Sequence, residues 1–230
     1  MSAITAWLQQ LDWNWVITTV ITVAAALLCI TFHETCHGFV ASKLGDPTAK
    51  QLGRLTLNPL KHVDTVGLIM MAVFKFGWAK AVPVDMRRFK NPKYGMAITA
   101  LAGPLSNLLL AFAAIFLYHC TAVLFFCVRW NWLQYIALFF DYTAVLSVGL
   151  AIFNLIPIPP LDGSKILGAL LSDKAYFKLM RYERFGMILL MIVLYSKVLN
   201  TPLTYARTWV LDILEYLPYH FFNSLLNFFF

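Results

Sequence analysis

Inside a long apolar run stand His33, Glu34, Thr35, Cys36 and His37. From Val16 to Ala41 the two histidines and the glutamate are the only ionisable side chains apart from two cysteines. Charge at membrane depth is costly, so such residues point to function by default. Helical positions i and i+4 share a face, so His33 and His37 can bind one metal ion. Glu34 lies beside that face, where a carboxylate can take a proton from water activated by the metal. The pentapeptide uses two of the five histidines and one of the three glutamates in the chain. It points to zinc-dependent hydrolysis carried out at membrane depth.

The elements that must position these groups are read from hydropathy and loop charge. The chain has 230 residues, 60% hydrophobic and 13% charged, with a mean hydropathy of +0.71. Apolar stretches of ~18 residues or more read as transmembrane helices. Spans are expected at Val16 to Ala41, Met96 to Tyr118 and Leu133 to Ile156, with a weaker one at Phe185 to Leu199. The tail from Trp209 to Phe230 is apolar and aromatic but carries Asp212, Glu215 and Pro218. It reads as either interfacial or transmembrane. Between the first two spans, Arg54 to Pro59 alternates like a short strand. The run Val66 to Phe76 is too short to cross comfortably.

Lysine and arginine concentrate in three loops: 42–64, 77–93 and 158–184. The positive-inside rule makes these loops cytoplasmic. Both flanks of Val66 to Phe76 are then on one side, which predicts a re-entrant element beside this strand and the extended-looking GWAKAVPVD, lining a cavity. The net charge of +7 is spread over these loops rather than gathered in a patch, so no nucleic acid partner is expected. The N-terminus has no basic region ahead of the first apolar run, so no cleaved signal peptide is expected. Cys29, Cys36, Cys120 and Cys127 lack C-x-x-C spacing and read as plain apolar residues. A disulfide between Cys120 and Cys127 is left open.

A catalytic zinc usually takes three protein ligands plus water. The span at Val16 to Ala41 leaves toward the cytoplasm just after His37, and the span from Leu133 reaches the same side at NLIPIPPLDG. That brings Asp162 to the depth of His33 and His37. Pro157, Pro159 and Pro160 break the helix before it, and Gly163 allows a tight turn after it. Asp46, Asp64, Asp85 and Asp173 sit in turns or polar loops and fit less well. Asp162 has a plainer reading as the N-cap of the next helix. His62, His119 and His220 read as loop or interfacial residues.

HETCHG, then LGDPTAKQLGRLTLNPLKHVD, then GP-x-x-N at Gly103 to Asn107, then FNLIPIPPLDG resembles the site-2 protease family of intramembrane zinc metalloproteases, over about residues 16 to 170. It looks like the compact form without a PDZ or CBS domain. The resemblance implies His33, His37 and Asp162 as ligands of one Zn2+ per chain and Glu34 as the catalytic base. It also implies that Asn107 and Asn154 lie near the site and bind substrate or stabilise the transition state. Plainer readings are a helix–helix hydrogen bond for either asparagine and a packing or kinking role for Gly103-Pro104.

The expected fold is an all-α polytopic membrane protein, a bundle of about four to six transmembrane helices with a small re-entrant β-hairpin-like element. Residues 1–200 would form the membrane-embedded metalloprotease domain and 201–230 an apolar aromatic tail. The expected activity is hydrolysis of peptide bonds in or near transmembrane segments. The alternatives are a catalytically inactive relative that binds membrane proteins and, less favoured, a metal-cation transporter. Inverted repeats would mark a transporter, and none is evident. The expected partners are the lipid bilayer and a single-span membrane-protein substrate, with homo-oligomerisation left open. The expected setting is a prokaryotic cell membrane, with the site toward the cytoplasmic side.

Overall fold

The computed structural model describes residues 12–67, 79–172, 174–176 and 183–229. The helices are α1 (Trp13–Lys43), α2 (Thr48–Gln51), α3 (Pro92–Val128), α4 (Leu133–Asn154), α5 (Asp162–Leu170), α6 (Glu183–Tyr195) and α7 (Asn200–Phe229). Among the described residues, α1, α3 and α4 are long and apolar enough to cross a membrane. A fourth span is added if the pair Phe185–Tyr195 and Asn200–Asn227, bent by 87°, counts as one. Among the described residues the candidate spans therefore number three or four, at the lower end of the expected four to six or just below it.

α1, α3 and α4 pack against one another. Lipid supplies no hydrophobic drive for helix pairing, so close backbone approach through small residues does the work. The buried positions fit this: Ala25 and Ala41 on α1, Ala100, Ala111 and Ala114 on α3, Ala144 and Ala151 on α4. Asn91 caps α3 by accepting from Tyr94 N–H, and Pro92 occupies its first turn, where its missing N–H costs nothing. Cys120 and Cys127 are both free thiols on α3. Seven helical residues separate their Cα atoms by ~10 Å, beyond disulfide reach, so the helix itself rules out that pairing.

The tail forms α7, which lies along the bundle. Leu211 and Leu214 pack on Ala114, Ile115 and Ala144. Further on, Phe222 packs on Phe116 and stacks on His119. α7 therefore runs beside α3 in the same direction. Its acid Glu215 lies 3.7 Å from His119, which gives one of its polar groups a partner.

The loop between α1 and α3 departs from expectation. Arg54 to Leu57 is not a strand, and no strand occurs among the described residues. The Thr56 carbonyl, which a ladder would use, instead accepts from the Thr35 hydroxyl (2.8 Å) and from His62 Nε2 (2.9 Å). The segment is fastened to α1 by side chains in place of a β partner. His62 is correspondingly buried, not interfacial. Of the expected re-entrant run, only Val66 and Gly67 are described; 68–78 lie outside the described residues.

A second fastening holds the segment 79–85. Asp46 is fully buried. It accepts from Thr48 N–H (3.0 Å), from the Thr48 hydroxyl and from Asp85 N–H (2.6 Å). The Arg87 guanidinium bonded to Asp85 holds that carboxyl below the ordinary carboxylate range. Hydrogen bonds to a charged acceptor contribute ~1.5–3 kcal/mol each. Asp46→Ala is expected to destabilise the protein by about 3 kcal/mol, measured by denaturant unfolding in detergent. A change below the error of that measurement would show that Asp46 does not hold the segment.

Candidate metal centre

His33 and His37 project from one face of α1, and Asp162 is the first residue of α5. All three are buried. His33 Nε2 lies 3.0 Å from His37 Nε2, and Asp162 Oδ2 lies 3.1 Å from each. Tetrahedral zinc with ligands at ~2.0–2.1 Å holds neighbouring donors about 3.3 Å apart. The triangle is thus nearly the right size. A proton can bridge one pair of these atoms at a time, whereas a divalent cation satisfies all three together.

The surroundings prepare the donors. His37 Nδ1 lies 2.7 Å from the Thr99 carbonyl. A carbonyl only accepts, so Nδ1 carries the hydrogen and Nε2 keeps its lone pair for a metal. A Cβ on Gly103 would fall 2.4 Å from His37 Nε2 and 2.5 Å from His33 Cε1. The bare glycine leaves a cradle where the two imidazoles meet. Pro104, next in the helix, cannot donate to the carbonyl one turn back and loosens the ladder there. The donor set, its spacing and this cradle all fit zinc.

Asp162 is aimed by the junction of α4 and α5. A Cβ on Gly163 would lie 2.2 Å from the Leu155 carbonyl oxygen. Only glycine lets the start of α5 press against the end of α4. The capping role for Asp162 is not what the structure contains: Leu161 is the N-cap, with no side-chain cap bond. Lys165 lies 3.7 Å from the other Asp162 oxygen.

Glu34 is half-buried on α1, and its Oε2 accepts from Val82 N–H at 2.8 Å. Gly38, one turn further on, makes room for this segment. A Cβ there would lie 3.0 Å from Val82 Cγ1. Asn107 is fully buried with its side-chain amide 3.3 Å from His33 Nδ1. Asn154, the last residue of α4, donates to its own helix at Leu150 (3.0 Å). The structure thus gathers His33, His37, Asp162 and Asn107, and ties Glu34 to a loop. Thr99, Gly103 and Val82 join the site without having been singled out as part of it. Thr99, Gly103 and Asn107 recur every four residues, the spacing of one helical face, and that was a signal in the sequence.

Residues 21–196 match the model for "Peptidase family M50". The chain is 39% identical over 175 residues to "Putative zinc metalloprotease YwhC" of Bacillus subtilis (strain 168), covering 74% of this chain and 78% of that protein. It is 27% identical over 198 residues to "Putative zinc metalloprotease Rip2" of Mycolicibacterium smegmatis, covering 84% and 73%. It is 27% identical over 201 residues to the protein of the same name in Mycobacterium tuberculosis (strain H37Rv), covering 84% and 74%. No solved structure matches the chain.

Proposed function

The chain belongs to peptidase family M50 and is a zinc metalloprotease with several long apolar helices, and from that premise we propose that it cleaves single-span membrane proteins within or beside their transmembrane segments. The observation that carries this reading is the buried triangle of His33, His37 and Asp162 between helices apolar enough to span. One Zn2+ per chain would be held by these three. When bound, zinc lowers the pKa of water toward ~7 and polarises the scissile carbonyl.

The chain's own groups supply the rest. Val82 N–H orients Glu34 through one carboxylate oxygen. Glu34 takes the proton of the attacking water and delivers it to the leaving amine as the peptide bond breaks. Asn154 could donate to the developing oxyanion, once its amide leaves the Leu150 carbonyl. A substrate helix hides its carbonyls in internal hydrogen bonds, so it must unwind locally before its scissile bond can reach Glu34.

Loop charge supports a cytoplasmic orientation for the site. The basic loops 42–64 and 79–93 adjoin the end of α1 that carries His37, and bacterial relatives support a bacterial cell membrane. The test uses the purified protein in vesicles with candidate single-span proteins, followed by sequencing of the fragments. Cuts are expected within a span or a few residues from it, stopped by a chelator and restored by zinc. Cleavage that persists after zinc has been stripped and verified absent would end the proposal.

A further inference from the structure

We propose that Asn107 is a positioning residue for the metal: its side-chain oxygen, not its nitrogen, faces His33 and locks that imidazole in the zinc-binding tautomer. The inference rests on the zinc reading above and assigns Asn107 to the metal side of the site rather than to substrate.

The two ends of a side-chain amide have nearly the same shape, and the hydrogen bonds around them decide which is which. With the nitrogen toward His33 Nδ1, as the 3.3 Å contact stands, the ring nitrogen would have to accept. The hydrogen of neutral His33 would then sit on Nε2. That atom lies 3.0 Å from His37 Nε2 and 3.1 Å from Asp162 Oδ2, and a protonated Nε2 cannot ligate. Nothing on the protein side compensates for this orientation, because Asn107 Oδ1 has no hydrogen-bond partner among the described residues.

Turning the amide end for end reverses the assignment. The oxygen accepts from Nδ1–H, and Nε2 offers its lone pair to the same point as His37 Nε2. No donor among the described residues reaches Oδ1 where it stands, and the tautomer that leaves Nε2 free for a metal selects the turned orientation. The result also matches what is already fixed at His37. There the acceptor is the Thr99 carbonyl, one turn before Gly103, as Asn107 is one turn after it. α3 then presents two acceptors four residues on either side of the glycine cradle, one for each imidazole. The Asn107 backbone is itself held, since its carbonyl accepts from the Ser147 hydroxyl of α4 (2.9 Å).

The test measures zinc affinity by chelator competition on the full chain in detergent, with the visible absorption of the Co2+-loaded protein as a second readout. Asn107→Asp keeps an oxygen and removes the nitrogen, so it should stay within roughly 3-fold of wild type and keep its cobalt spectrum, whereas Asn107→Leu should lose ~10–100-fold in affinity. Should the leucine variant fail to fold, Asn107→Ala set against Asn107→Asp gives the same contrast. Equal loss in the aspartate and leucine variants would overturn the oxygen assignment. Unchanged zinc in the leucine variant would overturn the metal role, and reduced cleavage with full zinc would return Asn107 to the substrate. A wild-type protein that binds no zinc would overturn the underlying metal reading and the inference with it, an outcome distinct from the other three.

Discussion

Gly103→Ala should give a chain that inserts into the membrane and holds no zinc. The added methyl would lie 2.4–2.5 Å from atoms of both imidazoles, against 3.4–4 Å for ordinary contact. It is fixed to a helix backbone and cannot swing away. The rings must move instead, and they are short side chains on α1, which is itself packed against α3 and α4. Overpacking costs ~1–3 kcal/mol, which a bundle of this size can survive. Loss of metal geometry is less forgiving: outer-shell changes alone cost ~10–100-fold in metal affinity, and displacing two ligands should exceed that. Metal analysis of the purified variant reads the result, with Gly149→Ala as a control. Among the described residues a Cβ at Gly149 meets only Arg207 Cδ, at 3.9 Å, so that variant should keep its zinc. Full zinc in Gly103→Ala would show that the imidazoles do not meet at this glycine.

Glu34→Gln separates the base from the ligands. Glutamine can still accept the Val82 N–H through its amide oxygen, so the contact at 2.8 Å and the loop it anchors should persist. An amide cannot take a proton at neutral pH. Zinc content should therefore match wild type while the cleavage rate falls ~100- to 10,000-fold, the usual contribution of a positioned acid–base group. Zinc analysis and single-turnover cleavage on the same preparation check both halves. Retained cleavage would remove Glu34 from the proton transfer.

The clustering of His33, His37 and Asp162 was legible in the sequence to the extent that side chains define it. HETCH gave two donors by helical spacing, and loop charge brought Asp162 to their depth. The structure places all three donors within 3.1 Å of one another. Apart from the Asn107 side chain, the supporting groups are backbone: the Thr99 carbonyl, the Val82 N–H and the empty space at Gly103. The four-residue spacing of Thr99, Gly103 and Asn107 marks one face of α3, but main-chain groups occur at every residue, and only the register of α3 against α1 reveals which of them matter. The strand read at Arg54 to Leu57 failed for a related reason. Its alternation was real, but the Thr56 carbonyl found Thr35 and His62, a competition that side-chain pattern cannot foresee. The tail points both ways in the sequence because Asp212, Glu215 and Pro218 argue against a span, while the apolar contacts of Leu211, Leu214 and Phe222 with α3 and α4 depend on partners far earlier in the chain.

The candidate metal donors are separated by 129 residues along the chain, from His33 to Asp162. Synthesis proceeds from the N-terminus, so α1 is made long before the third donor exists. Two imidazoles alone make an incomplete site. Asp162 arrives only after α3 and α4 have been produced, and it reaches the imidazoles only if Gly163 seats α5 against the end of α4. A chain that ends before Asp162 therefore lacks the third donor of the cluster. Zinc held by all three would mark a chain in which α1, α4 and α5 have come together.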